Sequence, residues 1–104
     1  MSSEDVKAQI SESRRKVDLA QRTYRLETNS DFIEVVQKNL IHDRTIELTS
    51  ELSLLNPESF EYKQILRELD AISYLRNYFV QLILTGAEAQ DSLQEAQNLL
   101  NSEY

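Results

Sequence analysis

The chain has 104 residues with 18 acidic and 11 basic side chains, a net charge of −7, one Gly, one Pro and no Cys. So few turn-forming residues leave little but helix, and without Cys there is neither a disulfide nor a thiolate metal site. The acid excess argues against a general nucleic-acid binder, which needs accumulated Lys and Arg to neutralise phosphates.

A hydrophobic content of 40% and a charged content of 28% suit a single domain over residues 1–104. Its core would be a stripe along each helix, with no room for a large buried active site. The expected fold is all-α: an antiparallel helical hairpin or small bundle of three helices, or of four if the last one breaks at Gly86.

The first helix is predicted over residues 3–26. Val6, Ile10, Ser13, Val17, Ala20 and Tyr24 alternate four and three apart and form one seam. Ser13 and Ala20 make it thin, so this helix has to lean on another surface. Residues 1–25 carry six cations (Lys7, Arg14, Arg15, Lys16, Arg22 and Arg25) against four acids. Residues 87–104 carry Glu88, Asp91, Glu95 and Glu103 with no cation. This polarity predicts that the first helix lies against an acidic surface of its own chain, a sister copy or a partner. Arg14, Arg15, Lys16, Arg22 and Arg25 are therefore candidate interaction residues.

Thr28-Asn29-Ser30-Asp31 is the first break, and Asp31 with Glu34 has the spacing of a capping box. The second helix is predicted over 31–55. Phe32, Ile33, Val36 and Leu40 open its apolar face, and Ile41, Leu48, Leu52 and Leu55 continue it. Val35, Ile46 and Leu54 widen the stripe, which predicts more than one neighbour.

Asn56-Pro57-Glu58 is the clearest boundary, with Pro suited to a first helical position and Glu to the positive end of the dipole. The third helix is predicted over 57–102. Ile65, Leu69, Ile72, Leu75, Phe79 and Leu82 are strongly periodic, and the phase continues through Gly86, Ala89, Leu93, Ala96 and Leu100. Preserved phase favours a continuous helix, although Thr85 with Glu88 also has capping-box spacing. Gly86, Ala87 and Ala89 would let another backbone approach closely. Leu93 and Leu100 join the candidate interaction residues, because their thin seam matches that of the first helix. Tyr74, Tyr78 and Phe79 read as core or core edge, whereas Tyr62, Leu66 and Val80 flank the main stripe and mark an interface if exposed.

Catalytic chemistry finds little support. His42-Asp43 is the one place where a histidine could act, but neighbours on an α-helix point about 100° apart and so do not form a ready pair. Metal and hydrolase sites of that type need further histidines. No serine has a plausible base, and one Gly cannot build a phosphate-binding loop. The pairs Glu47/Glu51 and Asp91/Glu95 share faces and read as solvated acidic surface. The sequence thus predicts no catalytic residue, no cofactor and no metal.

The stretch Tyr24-Arg25-Leu26-Glu27-Thr28-Asn29-Ser30-Asp31-Phe32-Ile33-Glu34-Val35-Val36 opens on Leu, then Asn-x-Asp-Phe, then aliphatic residues. Further on, Leu69-Asp70-Ala71-Ile72-Ser73-Tyr74-Leu75-Arg76-Asn77-Tyr78-Phe79 follows an Ala-Ile-x-x-Leu-x-x-Tyr pattern. Over residues 22–90 the chain resembles a recurrent type of small all-helical protein of tailed bacteriophages. The resemblance implies a virion, assembly or host-interaction setting and assigns no residue a role.

The sequence therefore predicts a non-enzymatic structural or assembly protein, with protein partners that include further copies of itself. The alternatives are an acidic inhibitor of a host protein that imitates phosphates, and a packaging adaptor using the basic first helix. The start MSSEDVKAQ lacks the features of a signal peptide. The uncharged run from Asn77 to Ala87 is far short of a membrane span. The expected location is the cytoplasm of an infected host or the virion.

Overall fold

The computed structural model describes residues 2–102. It is all-α, with no strand among the described residues. Helix α1 covers Ser3–Glu27, and a short α2 covers Ser30–Phe32. A π-helical segment, Ile33–Asp43, runs directly into α3, Arg44–Leu52. Helix α4 covers Phe60–Ser102 without interruption at Gly86. The chain divides into two compact units: residues 27–78, and α1 with the part of α4 from Phe79 onward.

Capping residues set the local boundaries. Asn29, rather than Asp31, caps α2: its Oδ1 accepts from the amides of Asp31 and Phe32, both at 3.0 Å. After α3, Asn56 Oδ1 accepts from the Glu58 amide at 2.9 Å, and the Ser59 amide donates to the Asn56 carbonyl at 2.9 Å. That turn delays α4 until Phe60, with Ser59 Oγ accepting from the Tyr62 amide at 3.2 Å. A side chain that satisfies an otherwise orphaned amide fixes where a helix begins.

In the unit of residues 27–78, Leu48, Ile65 and Ile72 form the buried core, with Ile41, Leu52, Leu55 and Leu69 packed around it. Arg44 ties α3 to α4. Its Nε and second guanidinium nitrogen donate to the two carboxylate oxygens of Glu68 at 2.9 and 3.3 Å. Val36 is half-buried and Ile41 packs on the core, whereas Leu40 is exposed. This differs from the face expected from Val36 and Leu40, and the segment that carries them is π-helical. Its hydrogen bonds run five residues apart, as in the Arg44 amide bonded to the Asn39 carbonyl.

In the other unit, Val6, Ile10 and Ala96 form the buried cluster, with Leu93 and Leu100 packed on it. Gly86 sits against Ala20, and a Cβ placed there would also lie 3.4 Å from the Lys16 carbonyl oxygen. With Ile10 beside Ala96 and Ala20 beside Gly86, α1 and α4 run antiparallel. The same register sets Ser13 level with Leu93 and Val17 level with Ala89, so each larger side chain meets a small one. Thr23, not Tyr24, closes the seam: Thr23 is buried and its hydroxyl donates to the Leu19 carbonyl at 2.8 Å, while Tyr24 is exposed. Among the described residues no buried side-chain polar atom lacks a partner.

Candidate interaction surfaces

Three of the six cations of α1 are engaged by acids of the same helix. Arg15 pairs with Glu12 at 2.9 Å, Lys16 approaches Glu12 at 4.0 Å, and Arg22 pairs with Asp18 at 2.8 Å. These are three- and four-residue spacings, the distances at which helical side chains meet. The Arg15 hydrogen bond and charge hold the Glu12 carboxyl below its ordinary range, and Glu12 in turn raises Arg15. Arg14 is exposed and lines a shallow groove of about 370 Å³ with Lys7, Ile10, Ser11 and Leu100. Arg25 is exposed and has interactions of its own. The expected attraction between the two charged ends is thus answered, for Arg15, Lys16 and Arg22, inside α1. What joins α1 to α4 is the apolar seam, and Leu93 and Leu100 are part of that packing.

His42 and Asp43 are a pair after all, with His42 Nδ1 2.8 Å from Asp43 Oδ1. The π-helical backbone turns less per residue than an α-helix, which brings adjacent side chains closer than the 100° separation expected. The pair is exposed, and among the described residues no three His, Asp or Glu side chains gather as a metal-binding group. Carboxylates elsewhere are drawn to local cations: Glu34 to Lys38 at 3.5 Å, and Glu47 with Glu68 to Arg44. Those two carboxylates raise the Arg44 guanidinium further.

Large apolar side chains dominate what is left. In the unit of residues 27–78, Ile33, Val35, Leu40, Ile46, Leu54 and Phe60 are exposed while three aliphatics are buried. Tyr74 and Tyr78, expected at the core, are exposed at 74% and 50%. They stand on the side of α4 away from Ile65 and Ile72, where a single packed hairpin offers no cover. Leu66 and Val80, marked by their position beside the main stripe, are exposed as well. Leu84 belongs with them and was legible only as the fourth-residue continuation of Val80. No described helix is long and apolar enough to cross a membrane.

Comparison with protein-family models, with curated proteins and with solved structures finds nothing that matches this chain.

Proposed function

We propose that this chain is a non-enzymatic structural or assembly protein that works through helix-mediated association, with copies of itself among its partners. The observation that carries this reading is the number of large apolar side chains exposed in the unit of residues 27–78, Ile33, Val35, Ile46, Leu54 and Phe60 among them. Soluble monomers seldom leave so many large apolar side chains in water, and aromatic and aliphatic anchors of this kind supply most binding energy when covered. The resemblance to small helical phage proteins adds the setting: a virion or its assembly.

Glu12, Asp18, Glu34, Glu47 and Glu68 pair with neighbouring cations, which takes these carboxylates out of any row of free charges that would imitate a phosphate backbone. Arg15, Lys16 and Arg22, held by Glu12 and Asp18, weigh against a packaging adaptor. Sedimentation over a range of concentrations, together with capture from infected cells, tests the reading. Association with itself or with a virion or assembly protein is the expected result. A monomer at every concentration that captures nothing would sink it.

A further inference from the structure

In the unit that joins α1 to the part of α4 from Phe79 onward, the unpaired charges sort by helix. Lys7 and Arg14 are exposed on α1, and no ion pair among the described residues takes up either one, in contrast to Arg15, Lys16 and Arg22. They border the groove of about 370 Å³ that Ile10, Ser11 and Leu100 also line. On α4, residues 79–102 carry Glu88, Asp91 and Glu95 and no cation. None of these three carboxylates is in an ion pair among the described residues. One turn after Glu95 stands Leu99, 49% exposed, beside Asn98 and Ser102.

The groove and this leucine cannot meet within one copy. Lys7, Ser11 and Arg14 each follow a buried residue of the seam, Val6, Ile10 and Ser13, whereas Glu95 and Leu99 each precede one that packs there, Ala96 and Leu100. In an antiparallel pair, residues that follow the seam line one flank on both helices, and those that precede it line the other. The groove and Leu99 therefore lie on opposite flanks of the same two helices.

Between copies they fit. Lys7 and Arg14 are about 10.5 Å apart along α1. A leucine seated midway on a helix laid along the groove brings the side chain four residues before it, about 6 Å away, level with one of these cations. From this complementarity of shape and charge we infer that the groove receives α4 of a second copy, with Leu99 on Ile10 and Leu100 and the Glu95 carboxylate beside a rim cation. Because groove and leucine are different patches, the contact is head-to-tail. Each copy receives one neighbour and offers itself to another, which builds a row or a ring of more than two rather than a closed pair. The leucine supplies the apolar burial, while the exposed charges set orientation and are screened by salt. This contact rests on the association reading above and gives it a surface and a polarity.

The chain has no cysteine, so introduced thiols report cleanly. On air oxidation, Ser11→Cys and Leu99→Cys mixed in equal amounts should link to each other, and neither should link to itself. The chain carrying both changes should give a ladder of dimers, trimers and larger species, with no internal bridge. Reversing the rim charges in that chain, Lys7→Glu with Arg14→Glu, should cut the ladder about tenfold, since two weak attractions become repulsions. Adding Glu95→Lys should bring it back, with the helical circular dichroism unchanged throughout. Failure of the mixture to link, a doubly substituted chain that stops at the dimer or closes on itself, or a ladder indifferent to the charge reversal or not recovered by Glu95→Lys would overturn the contact. In those cases an oligomer of the parent chain that persists leaves the association reading in place. A parent chain that is monomeric throughout but captures a virion protein removes only the contact, and one that captures nothing removes both.

Discussion

The buried contacts between α1 and α4 run through Ala20, Gly86 and Ala96, whereas those between α3 and α4 run through Leu48, Ile65 and Ile72. The first contact buries few carbons per residue but lets two backbones come close, so many weak dispersion contacts add up. The second buries whole aliphatic side chains, each worth about 1.5–3 kcal/mol relative to exposure. The two are therefore vulnerable in opposite directions. One should break when an atom is added, the other when atoms are removed.

Removal should have the larger effect. Leu48 is 1% exposed and the largest fully buried side chain among the described residues. Leu48→Ala should cost about 2–5 kcal/mol, the range for a buried leucine that leaves a cavity. Urea unfolding followed by circular dichroism measures it. A loss under about 0.5 kcal/mol, typical of surface sites, would mean that the hairpin has no core at Leu48.

Addition comes next. In an ordinary helix Gly86→Ala would stabilise by about 1 kcal/mol. Here the new Cβ would collide with the Ala20 Cβ, and overpacking costs about 1–3 kcal/mol. The expected sign is net destabilisation, with amide exchange in α1 rising more than in α3. Ala20→Gly in the same chain should relieve the clash, so the two changes should be strongly non-additive. If Gly86→Ala alone raised the melting temperature, α1 would not pack tightly on α4.

These differences also show what a sequence can display. The stripe Ile65, Leu69, Ile72 was plain because α4 is a regular helix with one dominant period. The unbroken passage through Gly86 was legible from preserved phase, and the reason for a glycine there could be read from Ala87 and Ala89 beside it. The π-helix was not legible, because Phe32, Val36 and Leu40 at four-residue steps fit an α pattern and nothing local marks the change in hydrogen bonding. The exposure of Tyr74 and Tyr78 was missed because aromatics suggest a core, and no local signal says which side of α4 remains bare. The candidate cations were easy to list, but the sequence pattern did not show that Arg15 and Arg22 find their acids, Glu12 and Asp18, on the same helix.

The π-helix supplies a smaller test within the hairpin. Ile41→Ala should cost about 1–2 kcal/mol, less than full burial implies because the side chain is half-covered. Leu40→Ala should stay within about 0.5 kcal/mol. The reverse order would mean that Leu40, and not Ile41, faces the core. Smaller again is the Arg44–Glu68 pair. Both side chains are partly exposed, so Arg44→Met should lower the unfolding midpoint less than Ile41→Ala does. The effect of Arg44→Met should shrink in molar salt, which screens exposed charges.

The smallest expected effect separates charge from packing in α1. Glu12 and Arg15 are both charged at neutral pH, and Arg15 holds the Glu12 carboxyl below its ordinary value of 4.5. A carboxyl depressed on folding contributes stability that is fully present above its unfolded value and is lost as pH falls through the folded one. The loss should therefore come in the acidic range below the ordinary carboxylate value, with none near neutrality. The pair is solvent-exposed and closes within one helix turn, so its disappearance should loosen only the amides around residues 12–16. An NMR titration should place the Glu12 midpoint below that of a reference peptide, and Glu12→Gln should abolish the matching step at the Arg15 side chain. Amide protection at Ala20 should not move, because its contact with Gly86 is steric and indifferent to pH. A Glu12 midpoint at or above the peptide value would show that the pair does not persist in solution. Loss of Ala20 protection in step with Glu12 would show instead that the charges of α1 help to hold the seam, which would remove the contrast between its charged surface and its packed face.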